Sequence, residues 1–141
     1  MRDLEKNTDV ALGPYDKLVI GASVRYGRHR SAVVEFMNRR APALQAKPNA
    51  FFSVNVVARK SGKDRPETNY YLQQFLRRLA WRPAHLAVFA GKIDYPRYGF
   101  IDRLVIRFIM WITRGPTAPD AVVEYTDWQA VETFAGTIAR M

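Results

Sequence analysis

The sequence predicts an α/β domain built on a parallel sheet with helices on both faces. Three observations carry this. Three short runs, Lys17–Ser23, Ala50–Ala58 and Leu86–Gly91, are apolar almost throughout and rich in β-branched and aromatic residues. Strands buried on both faces read this way, whereas half-exposed antiparallel strands alternate. Amphipathic helical segments separate the runs, as parallel crossovers require. The length, 141 residues with 48% hydrophobic and 25% charged, suits one domain with a single core.

Each element follows in order. Lys17–Ser23 (KLVIGAS) is preceded by Gly13-Pro14 and closed by a polar loop, Arg25–Arg30. Ser31 is positioned to cap a helix whose apolar face is Val33, Phe36 and Met37, with Pro42 as its stop. Ala50–Ala58 (AFFSVNVVA) is the second strand, interrupted by Ser53 and Asn55. A charged loop with Gly62 and Pro66 leads to Tyr70–Trp81. There Leu72, Phe75, Leu76 and Leu79 recur at i, i+3, i+4 and i+7, the period of an amphipathic helix. Leu86–Gly91 is the third strand. After an unusual segment, Tyr95–Gly115, come a short strand at Val122–Tyr125 and a helix opened by a capping box, Thr126-Asp127-Trp128-Gln129. Val131, Phe134, Ala135 and Ile138 are expected to face the core. No internal repeat or low-complexity linker divides the chain.

In such sheets ligands bind beyond the carboxyl ends of the strands. That selects three loops: Ser23–Gly27, Asn55–Lys60 and Gly91–Tyr98.

Charge and composition narrow the chemistry. Lys and Arg total 22 against 13 Asp and Glu, a formal +9, which favours polyanions, anionic lipid headgroups or acidic small molecules. There is no cysteine, which excludes disulfides, thiolate metal sites and a Cys nucleophile. With only His29 and His85, no metal site is expected; His29, among Arg28, Arg30 and Ser31, reads as an exposed loop residue, and His85 as structural. No apolar leader stands at the N-terminus, so a cytoplasmic setting is the default expectation.

The segment YPRYGFIDRLVIRFIMWITRG, Tyr95–Gly115, is both greasy and basic. On a helical wheel Arg103, Arg107 and Arg114 fall within about 40° of one another. Ile101, Leu104, Val105, Phe108, Ile109, Trp111 and Ile112 cover the other side. Two readings stand: a core-facing helix with an exposed basic face, or a helix lying on a membrane.

The motifs YDKLVIGASVRYGRHRSAVVEF, FFSVNVVARK, TNYYLQQFL, WRP, Ala90-Gly91, YPRYGFIDR and VVEYTDW together resemble the flavodoxin-like, quinone-dependent protoporphyrinogen oxidases of bacterial haem biosynthesis. The resemblance runs from about Tyr15 to the end. It implies a flavodoxin fold carrying FMN, oxidation of protoporphyrinogen IX to protoporphyrin IX, and transfer of electrons to menaquinone or ubiquinone. It also implies a peripheral place on the cytoplasmic side of the inner membrane. The implied cofactor-binding residues are Ser23, Val24, Arg25, Tyr26 and Gly27, then Asn55, Val57, Ala58 and Arg59, and Gly91. The implied substrate-binding residues are Tyr95, Arg97, Tyr98 and Lys60. The implied membrane contacts are Phe100, Arg103, Arg107, Phe108, Trp111 and Arg114. A homo-oligomer is compatible with the resemblance, and nucleic acid is not among the implied partners. Chemistry resides in the flavin, so no acid–base pair or nucleophile in the protein is expected.

One part of the family pattern has no counterpart. The family's first, central strand, its Ser/Thr/Gly-rich phosphate loop and first helix are not found, and Met1–Lys6 reads as the end of its second strand. A truncated flavodoxin-like domain, 1–141, with 95–115 as an amphipathic insertion is the resulting expectation. FMN binding then rests on the ring-side loops alone. Two further function classes stay open: a flavodoxin-like quinone reductase or electron carrier with another substrate, and a non-catalytic form or basic nucleic-acid-binding module.

Overall fold

The computed structural model describes residues 3–4, 9–112 and 114–141. Met1–Lys6, expected as a strand remnant, falls outside them apart from Asp3 and Leu4; Leu4 packs against the main core.

Strands β1 (Leu18–Arg25), β3 (Asn49–Val54) and β4 (His85–Phe89) form the parallel sheet. Pairing runs from Leu18↔Asn49 to Ser23↔Val54 and from Ala50↔His85 to Val54↔Phe89. This register sorts the side chains. Leu18, Ile20, Phe51 and Val88 point to one face. Val19, Gly21, Phe52 and Phe89 point to the other. The first face carries the core. Helices α1 (Ser31–Arg39), α2 (Ala41–Gln45) and α3 (Tyr70–Leu76) cover it with Phe36, Met37, Leu44, Leu72 and Phe75. Phe51 and Phe75 stack there with ring centroids 4.5 Å apart. Each such fully buried side chain stabilises the fold by roughly 1.5–3 kcal/mol. On the second face Phe134 of α5 (Trp128–Arg140) meets Phe52 and Phe89 edge-on.

Several sequence expectations move. The loop Arg25–Arg30 is a hairpin: β2 (Arg28–His29) pairs antiparallel with the end of β1. Its two-residue turn, Tyr26-Gly27, has φ of 51° and 76°, the mirror-image turn that matches strand twist. Ser31 does not cap α1; Arg30 takes that position without a side-chain hydrogen bond. Pro42 does not stop a helix but stands in the first turn of α2, where its missing N–H costs nothing. The second strand ends at Val54, and Val56–Arg59 is a 3₁₀ turn. Helix α3 stops at Leu76 rather than Trp81. The cap of α5 is Asp127, one residue later than Thr126, and Ala135 is exposed rather than core-facing.

The largest difference lies after β4. Val122–Tyr125 does not join the parallel sheet. Strand β6 (Val122–Glu124) pairs antiparallel with β5 (Lys92–Asp94), a ribbon not read from the sequence. Between them run a 3₁₀ turn, Tyr95–Arg97, and helix α4 (Phe100–Ile112). The insertion therefore builds its own small core of Ile93, Tyr95 and Met110.

Candidate functional site

The carboxyl ends of β1, β3 and β4 open into a cleft of about 300 Å³. Its floor is Ser23, Val24, Arg25, Tyr26, Gly27, Val54, Asn55, Val57 and Gly91. Its roof is α4, which presents Asp102, Val105, Ile106, Ile109 and Met110 at i, i+3, i+4, i+7 and i+8. A larger groove of about 480 Å³ lies elsewhere, between Pro66, Arg82–Leu86 and Phe134. It contains none of the predicted site residues.

Two glycines shape the floor. Gly91 has φ +76°, and a Cβ there would stand 2.7 Å from Val54 Cγ1. Gly27, also at +76°, faces the Tyr71 ring 3.9 Å from where its Cβ would be. Both keep backbone and space open along the cleft.

Beneath the floor lies a buried polar network. The Asn55 side chain donates to Ser53 Oγ (3.1 Å) and to Asn69 Oδ1 (3.3 Å), and Asn69 Nδ2 donates back to Asn55 Oδ1 (3.1 Å). Asn69 also donates to Lys63 O (2.7 Å) and caps α3 by accepting from the Leu72 N–H (3.1 Å). Ser53 Oγ lies 2.8 Å from His29 Nε2. This network ties β2, β3, the charged loop and α3 together directly under the cleft. His29 is 2% exposed, against the expected exposed loop residue. Burial, and then the positive charge of Arg78, lower its pKa to about 4, so it is neutral at physiological pH.

The predicted cofactor-binding residues divide. Ser23, Val24, Arg25, Tyr26, Gly27, Val57 and Gly91 meet at the cleft. Asn55 lines it too, with its amide N–H groups donated to Ser53 and Asn69. Ala58 is buried in the main core. Arg59 donates to Val56 O at 3.0 Å and lies over the Tyr125 ring, outside the lining.

Among the substrate candidates only Tyr98 lines the cleft. Tyr95 is fully buried and its hydroxyl donates to Pro116 O at 2.7 Å. Burial pushes its phenol above the usual value. Arg97 is exposed and pairs with Asp94, and Lys60 is exposed.

Helix α4 is inverted relative to a headgroup-facing arginine stripe. Arg107 Nε donates to Thr117 O at 2.8 Å, and Arg103 is half-buried with its guanidinium toward Tyr98 O. The Thr117 carbonyl draws Arg107 inward, and the Tyr98 carbonyl draws Arg103. Arg114 lies beyond the helix, with φ 56°. The outward surface is apolar: Phe100 is 76% exposed and Trp111 70%, with Ile101, Leu104, Phe108 and Ile112 beside them. Among the described residues no helix is long and apolar enough to cross a membrane.

Sequence reasoning missed Tyr71, Lys92, Ile93 and the inner stripe of α4 as site residues. The wheel held the signal for the stripe, since 102, 105, 106, 109 and 110 share a face, but not which face turns inward. It also missed a side-chain pair: the Tyr26 hydroxyl donates to Asp102 across the cleft mouth.

The lining suits the flat ring of a flavin, with apolar walls and three strand ends offering backbone groups. No Ser/Thr/Gly-rich loop of the kind that wraps a phosphate occurs among the described lining residues.

A family model described as a flavodoxin domain matches residues 1–120. The chain is similar to the protoporphyrinogen IX dehydrogenase [quinone] of Escherichia coli strain K12, 48% identical over 127 residues, which is 90% of this chain and 70% of that protein. The protein of the same name from E. coli O157:H7 matches to the same extent. That of Leishmania major is 42% identical over 139 residues, 99% of this chain and 60% of its own. No solved structure matches.

Proposed function

The chain belongs to the flavodoxin-domain family, among relatives named quinone-linked protoporphyrinogen IX dehydrogenases, and from this we propose that it oxidises protoporphyrinogen IX to protoporphyrin IX with a quinone as acceptor. The observation that carries the reading is the cleft. It gathers the Ser23–Gly27 turn, Val57 and Gly91 at the carboxyl ends of three parallel strands, under an apolar helix. FMN is the proposed cofactor. When bound, it would supply two-electron acceptance from the macrocycle and return of those electrons to menaquinone or ubiquinone.

The chain's own residues do the rest. Ser23–Gly27, Val57 and Gly91 would hold the ring. Val105, Ile106 and Ile109 would keep water from its exposed side. Arg25 and Lys92 line the cleft and Arg97 stands near it, all suited to the substrate's propionates. The outer face of α4, from Phe100 to Ile112, would rest in the acyl boundary of an anionic membrane, where a lipophilic quinone and substrate arrive. Arg114, at the end of the helix, is then the arginine placed for headgroups, in place of Arg103 and Arg107.

The test is direct. Protein purified with flavin is given protoporphyrinogen and a quinone under anaerobic conditions. Porphyrin fluorescence that depends on both is expected; none overturns the proposal.

A further inference from the structure

The cleft lining contains one carboxylate among the described residues, Asp102, in the first turn of α4. Its partner is the Tyr26 hydroxyl, which donates from the opposite wall. The two ends of α4 are held differently. At the far end Met110 is buried, Gly115 N donates to Met110 O at 2.7 Å, and Arg107 is bonded to Thr117 O. At the near end a Cβ on Gly99 would meet nothing closer than Asp102 at 3.9 Å, and the long Arg103–Tyr98 contact, 3.4 Å, accompanies the Tyr26 bond. A cleft of about 300 Å³ is at the lower limit for a single ligand, so a flat ring in it leaves no room for a tetrapyrrole beneath the helix. The near end must therefore lift for the substrate to enter, and lifting takes Asp102 from its donor.

A carboxylate that loses its donor takes another, from water or from a bound ligand. The substrate brings a matching set. A porphyrinogen has four pyrrole N–H groups at its centre and carboxylates at its rim. The cations Arg25 and Lys92 suit the rim, and in this lining Asp102 supplies the carboxylate. The geometry points to Asp102 as the residue that anchors the macrocycle by accepting its pyrrole N–H groups, with Tyr26 the donor they displace. This rests on the functional reading above.

The experiment separates the two. Wild-type holoprotein is first assayed for quinone-dependent porphyrin formation; failure there is failure of the functional reading. With turnover established, the flavin is kept reduced by dithionite under argon and protoporphyrinogen is titrated against tryptophan emission, which Trp111 on α4 contributes to. Asp102→Asn, which keeps shape and an acceptor for Tyr26, is expected to raise Kd about tenfold, because charged acceptors bond about twice as strongly as neutral ones. Asp102→Glu keeps the charge and recovers most of the affinity. Tyr26→Phe removes the competing donor and tightens binding about 2- to 10-fold. An Asp102→Asn Kd within twofold of wild type overturns the inference. So does equal weakening by Asp102→Asn and Tyr26→Phe, which would make the pair only a brace.

Discussion

His29 shows how one buried imidazole couples the site to pH. Its ring packs against Phe51 and Phe75 and bonds Ser53 under the cleft. The unfolded chain takes up a proton near 6.5, whereas the folded chain refuses it until about 4. The stability this contributes is complete above 6.5 and is lost as pH falls to about 4. It amounts to at most roughly 3–4 kcal/mol. Urea melts across that window should show wild type losing stability more steeply than His29→Gln. A steeper or equal slope in the variant would contradict the assignment. Gly91 makes a second residue-scale prediction. Gly91→Ala places a Cβ into Val54 at positive φ, and a loss of about 1–3 kcal/mol is expected in thermal melts, with weaker flavin retention. Neither property was legible in the sequence. Arg28 and Arg30 made His29 look solvated, because a two-residue hairpin turning it inward leaves little trace when a Tyr takes the first left-handed position.

At the scale of elements, Asn69 joins two functions. It caps α3 and completes the Asn55 amide pair. Asn69→Ala should cost about 2–4 kcal/mol, a lost cap plus buried amide groups left unpaired, measured by chemical denaturation. A loss below about 1 kcal/mol would mean that water replaces the pair. Helix α4 makes the other prediction. Phe108→Glu with Trp111→Glu should abolish co-flotation with anionic vesicles, and the wild-type interaction should survive a salt series that strips purely ionic binding. Retained flotation in the double variant would exclude this face as the contact. The wheel correctly separated arginines from apolar residues on α4. It could not say which side faces the protein, because the Thr117 carbonyl and the Tyr26 hydroxyl decide that, and neither lies on the helix. Elements with long, regular apolar periods were legible. The short strand at Val122 was read, but β5 and its pairing with β6 were not, since so short a pairing is specified by its partner.

For the whole molecule, the parallel sheet followed from the continuous apolar runs, and the loops at the carboxyl ends of its strands do meet at one cleft. What the runs concealed is asymmetry. Along β1, buried or half-buried residues alternate with exposed ones, with Val19 41% exposed, because α5 packs on the β3–β4 side of that face. Among the described residues β1 pairs on its outer side only at Val24 and Arg25, leaving Leu18–Ser23 without a strand neighbour there. An apolar edge of this kind invites pairing with another chain. The 141-residue chain alone should therefore self-associate in sedimentation velocity, and Val19→Lys should reduce that association. A monomer at all concentrations would show that the edge is protected.

Met110 gives the roof helix a chemical clock. Its thioether is 1% exposed, and its sulfur lies so close to Gly115 that a Cβ there could not fit. A sulfoxide oxygen is larger than the space left beside the sulfur. Peroxide can reach the sulfur only when the anchored far end of the helix leaves its seat, and once oxidised the side chain cannot return to it. The rate at which this methionine gains an oxygen then reads how often the anchored end of α4 comes free, an event separate from the lifting of the near end.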